Sequence, residues 1–199
     1  PYSWTASNFI AVESYPDITQ AIARVGNYIV ALGSYSTEWF YDASNPTGTP
    51  LSRVDGATQE IGFIQGLAST ENAIYFVGRS SKGAASVYQI KGLKVTDLGT
   101  PAVRRWLGTT TIDKNRRGAI INMGGHRFFV INQVTEQTQS VQTYMLDLDN
   151  NMWTSLIFRQ DTEGPYIFSS TTGFQHNLTD DYAAVHTYFS EFETTTVKV

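Results

Sequence analysis

Short runs of apolar residues, filled on odd and even positions alike, dominate the pattern of this chain. Tyr28 to Leu32 is apolar at every position, and Ala73 to Val77 is a similar run. A strand with one buried face alternates apolar and polar residues, whereas a continuous run indicates a strand covered on both faces. Gly33-Ser34 then predicts a turn, and Glu38 to Tyr41 predicts an aromatic-rich second strand. The pattern therefore predicts hairpins packed between neighbouring sheets.

The apolar strand recurs at a regular interval. Its starts at Tyr28, Ala73, Arg127 and Tyr182 are 45, 54 and 55 residues apart. Around these starts the pattern predicts four short strands per cycle, and such a cycle of roughly 45–55 residues is the blade period of a β-propeller. A parallel sheet under helices would also bury strands on both faces, but it needs amphipathic helices that are almost absent here. We therefore predict an all-β, β-propeller-like fold.

One β-propeller-like domain is predicted over residues 1–199, with about three complete four-stranded blades and a partial blade at each end. The chain starts at Pro1 without a leader-like segment and stops in a strand-like stretch, Thr194 to Val199, so we expect a fragment of a larger protein. The predicted cycles are approximately 1–17 (partial), 18–63, 64–118, 119–165 and 166–199 (partial). The strands predicted in the complete cycles are Ile18–Val25, Tyr28–Leu32, Thr37–Tyr41, Leu51–Val54, Ile64–Ala68, Ala73–Val77, Ser86–Ile90, Leu93–Leu98, Ala119–Met123, Arg127–Ile131, Val141–Leu148 and Met152–Phe158.

A short helix is predicted between the second and third cycles, over Thr100 to Leu107. Threonine at the N-cap, proline at the first helical position, and apolar Val103, Trp106 and Leu107 at i, i+3 and i+4 are typical of a helix start. Two roles stay open for this helix: a plain connector between blades, or a docking surface for a partner.

Three stretches in the first half of the chain resemble one protein family when they are taken together. They are Glu13-Ser-Tyr-Pro-Asp17, the segment from Ile29 to Phe40, and Gly83 to Ile90 followed by Thr100-Pro-Ala-Val103. In order and spacing they are similar to the packaged-DNA stabilisation proteins of short-tailed bacteriophages, which plug and extend the portal exit. The resemblance covers about half of the chain, from Glu13 to Leu107.

The resemblance implies a structural protein and no enzyme. It implies a β-propeller subunit of the tail hub or nozzle, present as a ring of copies below the portal, which helps close the exit channel and retain packaged DNA. The implied partners are other copies of the chain, the portal-adaptor and other tail proteins, with DNA only in transit and no membrane. The implied location is the virion tail, after synthesis in the host bacterial cytoplasm.

The charge of the chain adds one candidate contact. A net charge of −4 argues against the broad electropositive surface of a sequence-independent DNA binder. Five basic residues nevertheless fall within fourteen positions, and they are Arg104, Arg105, Lys114, Arg116 and Arg117. A solvated loop would explain them, and so would a subunit or DNA-channel contact, because arginine suits both carboxylate and phosphate partners.

The sequence predicts no metal, cofactor or catalytic site. The chain has no cysteine, and its histidines, His126, His176 and His186, match no zinc spacing. Asp147 to Asn151 begins like a calcium loop but lacks the glycine and the final glutamate, so we interpret it as a hairpin turn. Gly78 to Gly83 lacks the lysine and hydroxyl of a phosphate loop.

Two other functions stay open beside the phage interpretation. One is a carbohydrate-binding or carbohydrate-cleaving propeller, and the other is a kelch-like scaffold that binds peptides. Carboxylates are available for glycoside cleavage, but their separation is not given by the sequence; we assign them to turns and solvated faces. They are Glu38, Asp42, Asp55, Glu60, Asp180 and Asp181. In the carbohydrate alternative, the sugar platforms would be the exposed aromatic residues among Tyr35, Trp39, Tyr41, Trp106 and Trp153.

Overall fold

The structure is a computed structural model, and it describes residues 10–12, 16–45, 48–81, 83–109, 116–133 and 141–158. In these ranges the chain forms twelve β-strands in three four-stranded sheets, together with one α-helix. In each sheet, strands that follow one another in sequence lie side by side. The predicted all-β fold and its four-stranded repeat are confirmed. No helix of the described residues is long and apolar enough to cross a membrane.

The chain divides into two compact units. The first consists of Pro1–Gln65 and Ser69–Thr110, and the second consists of Gly66–Ala68 and Thr111–Val199. Sheets 1 and 2 and the helix belong to the first unit, except for the three residues of sheet 2 that belong to the second, and sheet 3 belongs to the second unit.

Sheet 1 follows chain order. Its strands are β1 (Thr19–Val25), β2 (Tyr28–Gly33), β3 (Thr37–Asp42) and β4 (Leu51–Arg53). Gly26 joins β1 to β2 with φ of 58°, in the left-handed region that glycine adopts without steric cost. The sheet contains the predicted hairpin of β2 and β3 at its centre.

Sheet 2 repeats this arrangement. Its strands are β5 (Ile61–Ser69), β6 (Ala73–Ser80), β7 (Ala85–Lys91) and β8 (Lys94–Asp97). The helix α1 (Pro101–Thr109) follows, and it runs two residues beyond the predicted end at Leu107.

Sheet 3 repeats the arrangement again. Its strands are β9 (Arg116–Met123), β10 (His126–Gln133), β11 (Val141–Asp147) and β12 (Met152–Phe158). Both β5 and β9 begin three residues before the strands predicted at Ile64 and Ala119. Gly62 near the start of β5, and Arg116 to Gly118 at the start of β9, hide these extended segments from a hydrophobicity pattern. The predicted strands beyond Phe158, with His176 and His186, lie outside the described residues.

The central strands are buried on both faces, as predicted. Every residue of β6 from Ala73 to Gly78 is buried, and so are the last four residues of β2. Trp39 of β3 and Phe76 of β6 are fully buried and are among the largest side chains of the core. Burying an aromatic side chain of this size stabilises a fold by roughly 1.5–3 kcal/mol, so these strands hold much of the packing energy.

Sheets 1 and 2 are joined along one seam. The Trp39 indole N–H donates to the carbonyl of Gly92, in the β7–β8 turn, at 3.0 Å. The Thr37 hydroxyl donates to the carbonyl of Ile61 at 2.7 Å. Gly62 packs its backbone against Ser34, so closely that a Cβ atom would overlap the Ser34 carbonyl. Polar anchors and a close backbone approach therefore fix the two sheets of the first unit together.

Candidate functional site

The helix α1 presents one apolar and one basic face. Thr100 caps it, because the Thr100 hydroxyl accepts a hydrogen bond from the Val103 amide at 3.4 Å. Val103, Trp106 and Leu107 are buried, whereas Arg104 and Arg105 are exposed. The predicted helix and its apolar side are confirmed, and its outer face carries two of the five candidate cations.

Arg104 is held by a polar network on sheet 2. Its Nη2 donates to Asp97 Oδ2 at 2.8 Å, and its Nε donates to the Ser86 hydroxyl at 3.3 Å. The Ser86 hydroxyl donates in turn to Asp97 Oδ1, and the Gly99 amide donates to the same oxygen at 2.9 Å. The network fastens the start of α1 to β7 and β8. Arg104 therefore has mainly a structural role. Arg105 is the less constrained of the two cations.

The same network influences a neighbouring tyrosine. Burial is the main cause that raises the pKa of Tyr88 above its ordinary value of 10.0, and the negative charge of Asp97 adds to it. A hydrogen bond involving Ser80 and the charge of Arg104 act in the opposite direction. Tyr88 accordingly stays a neutral phenol at physiological pH.

Arg116 and Arg117 begin β9 and do not lie in a loop. Arg116 is 5% exposed, and Arg117 is half-buried. Adjacent residues of a strand point to opposite faces of the sheet, so these two side chains do not share a surface. The interpretation of this stretch as a solvated loop is therefore wrong for both residues. Lys114 lies outside the described residues.

The candidate cations belong to different units. Arg104 and Arg105 lie on α1 in the first unit, and Arg116 and Arg117 lie on β9 in the second. Of the four described members, Arg104 is paired and Arg116 is buried. Among the described members of this cluster, the charge available for a contact is therefore concentrated in Arg105 and, in part, Arg117.

Asp17 is a site residue that the sequence did not single out. Its Oδ2 accepts hydrogen bonds from the Tyr35 amide at 2.8 Å, the Ser36 amide at 2.9 Å and the Ser36 hydroxyl at 3.2 Å. The carboxylate thereby joins two of the stretches that carry the family resemblance. The sequence includes Asp17 only in a stretch of the resemblance, because nothing in a linear pattern shows which distant amides a carboxylate will meet.

Glu38 corrects another expectation. It was assigned to a turn or solvated face, yet it is 0% exposed and forms an ion pair with Arg53 Nε at 2.8 Å. Arg53 also donates from Nη2 to the Ala11 carbonyl at 3.1 Å and lies over the Phe40 ring at 5.9 Å. Glu38 and Arg53 therefore attach the segment before β1 to sheet 1, and the geometry gives Glu38 no open approach for a substrate.

His126, Asp147 and Asp149 meet at one end of sheet 3. His126 Nδ1 lies 3.3 Å from Asp147 Oδ2, and the Arg127 amide donates to Asp149 Oδ2 at 3.2 Å. Asp147 accepts from the amides of Asp149 and Asn150 at 2.9 and 3.1 Å. The predicted hairpin turn is confirmed, and Asp147 is the residue that closes it.

The turn shifts the ionisation of Asp147. Partial burial raises the pKa of this carboxyl, but the Asn150 side chain, the amides of Asp149 and Asn150, and His126 favour the charged form. Together these interactions outweigh burial and leave the pKa of Asp147 below its ordinary value of 3.8.

Three side chains of this turn have the chemistry to hold a metal ion. His126, Asp147 and Asp149 each offer one ligand atom, and these atoms lie within 4.8 Å of one another. Their oxygens, however, already accept hydrogen bonds from the backbone and from Asn150. The same contacts are those of an ordinary polar turn, so the cluster is explained without an ion.

The candidate sugar platforms differ in their exposure. Trp39 is 0% exposed and Trp106 is 8% exposed. Trp153 is half-buried and packs edge-on to Tyr144 at 6.4 Å. Tyr35 and Tyr41 are exposed. Trp39 and Trp106 fill the core, so they are not among the exposed aromatic residues that the carbohydrate alternative requires.

A cavity of about 810 Å³ opens at one end of sheet 1. Tyr28 and Tyr41, which are directly paired across β2 and β3, line it together with Arg24 and Asp42. Arg24 donates from Nε to the Gly26 carbonyl at 2.8 Å, and Asp42 accepts from the Ser44 amide at 2.8 Å. The charged groups of this cavity are thus partly used by local turns.

Comparison with known families gives one finding. The model of a phage-stabilisation family, described as bacteriophage P22 Gp10, β-propeller, matches residues 3–167. No curated protein matches the chain. The matched range contains all three sheets, α1 and each of the stretches on which the resemblance rested.

Proposed function

Because this chain belongs to the phage-stabilisation family of bacteriophage P22 Gp10, a family of virion structural proteins with a β-propeller fold, we propose that it is a subunit of the tail hub or nozzle. In this role a ring of copies lies below the portal and helps close the channel through which packaged DNA would leave. Its partners are other copies of itself, the portal-adaptor and other tail proteins, and it meets DNA only in transit. The chain is made in the host bacterial cytoplasm before it joins the tail.

The observation that carries this proposal is the family match along residues 3–167, over three sheets of one repeated design. We propose that the chain supplies one β-propeller-like domain with about three complete blades and a partial blade at each end. Strands covered on both faces make a blade rigid, and a rigid blade suits a part that must hold its shape under the pressure of packaged DNA.

We further propose that basic residues of the segment from Arg104 to Arg117 contact a neighbouring subunit or the DNA channel. The candidates are Arg104, Arg105, Lys114, Arg116 and Arg117. Arg105 is the strongest of them in the described residues, since it is exposed whereas Arg104 binds Asp97 and Arg116 is buried. Half-buried Arg117 ranks second. An exposed guanidinium suits a carboxylate on a neighbouring protein as well as a phosphate.

The tail role is tested with the full-length protein and purified portal-adaptor complexes. We expect electron micrographs to show rings that bind the portal end of these complexes. Particles assembled without the protein should release their DNA, and addition of the protein before release should retain it. A monomer that neither binds the complexes nor alters DNA retention would refute the tail role.

The contact residues are tested by Arg105→Glu and Arg117→Glu, each made alone, with Lys94→Glu as the matched control. Lys94 is an exposed cation on β8 outside the proposed segment. If an arginine variant no longer forms rings, the partner of that arginine is a carboxylate on a neighbouring subunit. If the rings form but the particles leak DNA, the partner is a phosphate of the DNA. If both variants behave like Lys94→Glu, the contact proposal fails while the tail role is judged separately.

A further inference from the structure

The turn Asp55-Gly56 is an exposed point in the connector between β4 and β5. Both residues are exposed, and Gly56 has φ of 71° with open space where a Cβ atom would stand. The turn contains a hydrogen bond of 3.3 Å from the Ala57 amide to the Val54 carbonyl. Within the described residues, the Gly56 amide donates no hydrogen bond. Within these residues, the Gly56 nitrogen is therefore accessible and is not fixed by a hydrogen bond of its own.

The Asp55 carboxylate differs from the other aspartates in the described ranges. Each of the others accepts at least one hydrogen bond from a backbone amide: Asp17, Asp42, Asp97, Asp147 and Asp149. In the same part of the chain, Asp55 makes no hydrogen bond and no ion pair. Its side chain can therefore turn toward the Gly56 nitrogen without breaking an existing contact. Asp55 is also the one aspartate in the whole sequence that is followed by glycine.

We infer that Asp55 is a site of spontaneous aspartate isomerisation. The Gly56 amide nitrogen attacks Cγ of Asp55, so that an N–Cγ bond forms while the Cγ–OH bond breaks. The hydroxyl leaves as water with the amide proton, and a five-membered succinimide results. Water then adds to one of the two ring carbonyls. Opening at Cγ restores aspartate, and opening at the former backbone carbonyl gives isoaspartate with no net change in mass.

Glycine at position 56 favours this step, because it places no side chain beside the attacking nitrogen and permits wide backbone rotation. A β-branched or bulky residue would hinder the ring. The reaction consumes one water molecule and releases one, and it requires no oxidant, metal or enzyme. Protein in an assembled virion is not renewed, so the product accumulates with the age of the particle.

The location makes the change consequential. On one side of the turn, the Val54 amide donates to the Trp39 carbonyl at 2.8 Å. On the other side, Gln59 and Thr37 exchange backbone hydrogen bonds of 3.0 and 2.9 Å. Isoaspartate adds one carbon to the main chain between these two fixed points. The connector that joins sheets 1 and 2 then no longer matches the distance it spans, and the aged protein should unfold at a lower temperature.

The test follows the folded full chain during incubation at mildly acidic pH in water enriched in oxygen-18. Trypsin releases the peptide 54–79, and isoaspartate appears as a second chromatographic peak that differs from aspartate in electron-transfer fragments. We expect several-fold more isoaspartate at Asp55 than at any other described aspartate, with one heavy oxygen introduced for each succinimide that hydrolyses. The melting temperature should fall as the product accumulates.

Asp55→Glu is the matched control, because glutamate keeps the exposed charge but would need a less favourable six-membered ring. This variant should form no product at position 55 and keep its melting temperature through the same incubation. A second control incubates the wild-type chain in denaturant. If Asp55 isomerises there but remains unchanged in the folded chain, the folded turn protects the residue and the inference is wrong. The inference is also wrong if Asp55→Glu loses stability on ageing as fast as wild type.

Discussion

At the scale of single residues, hydrogen-bonded and ion-paired carboxylates organise this protein. Asp17 collects three hydrogen bonds from one turn, Asp97 receives those of Ser86, Gly99 and Arg104, and Glu38 binds Arg53. Each carboxylate joins segments that are distant in sequence or different in structure. A hydrogen bond to a charged group contributes roughly 1.5–3 kcal/mol, so such residues have a larger effect than an acid that makes no such bond.

Asp17→Ala should lower the free energy of unfolding by about 1–3 kcal/mol, because two backbone amides and the Ser36 hydroxyl lose their acceptor. Asp55→Ala is the matched control, since Asp55 is exposed and makes no such bond, and it should change stability by less than about 0.5 kcal/mol. Denaturant unfolding of freshly prepared proteins measures both values. Equal effects of the two substitutions would contradict the role of Asp17.

Asp147 should make the stability of the chain depend on acid pH. Its pKa in the folded state lies below 3.8, so the folded chain gains stability when this carboxyl is charged. The gain is fully present above the ordinary carboxyl pKa and is lost as the pH falls through the lower, folded-state pKa. The stability difference between wild type and Asp147→Asn should therefore shrink below pH 3.8. Melting curves at several pH values measure it, and a difference that stays constant with pH would oppose this explanation.

At the scale of elements, close backbone contacts decide how strands approach one another. Gly62 of β5 meets the Ser34 carbonyl, and Gly118 of β9 meets the Gly66 carbonyl within the second unit. At both positions the two nearest atoms belong to the main chain, which does not move aside as a flexible side chain can. These glycines are required for space, whereas Gly26 is required for its backbone angle.

Gly62→Ala should destabilise the first unit by about 1–3 kcal/mol, because the added methyl group overlaps the Ser34 backbone. Gly108→Ala on α1 is the matched control. Gly108 is exposed with open space around it, and alanine in a helix should raise stability by roughly 0.5–1 kcal/mol. Denaturant midpoints of the two variants should move in opposite directions. If Gly62→Ala leaves the stability unchanged, β5 and the Ser34 backbone can move apart without loss of stability.

The sequence revealed those elements whose signal is local. The apolar runs of β2 and β6, the capped helix and the Asp147 turn all have their cause within a few residues. Arg116 shows the limit of that approach, because an arginine beside another arginine resembles a loop and only tertiary packing buries it. The partners of Asp17 and Glu38 were equally hidden, since contacts across long sequence distances leave no periodic trace. Thus the repeat was predictable, whereas the residues that fasten it were not.

At the scale of the whole molecule, the chain combines rigid sheets with a mildly acidic balance. The whole chain has a net charge of −4, and Arg104 is paired with Asp97. A part that lines an exit channel has to let DNA move through it, and every neutralised phosphate would add affinity. The charge balance is therefore consistent with the proposed role in DNA retention by closure of a channel.

The isolated chain should show no measurable binding to duplex DNA at physiological salt. A binder that neutralises several phosphates loses affinity with a slope of about −0.9 per phosphate in a plot of log affinity against log salt. Gel mobility of a short duplex across a salt series tests this prediction, with a basic DNA-binding domain as the positive control. Tight binding with a steep salt slope would indicate that the protein holds DNA directly, in conflict with retention by closure alone.

Trp39, which contacts Gly92, can serve as a fluorescence reporter for the first unit. An indole sealed from water emits at shorter wavelength than a wetted one, and Trp39 is fully enclosed at the seam between sheets 1 and 2. If the seam opens while both sheets persist, water reaches the ring. In a variant whose other three tryptophans are replaced by phenylalanine, the emission then shifts to the red before the far-ultraviolet signal of the strands declines. Separation of two sheets can thus be distinguished from unfolding of the sheets by comparing tryptophan fluorescence with the far-ultraviolet signal.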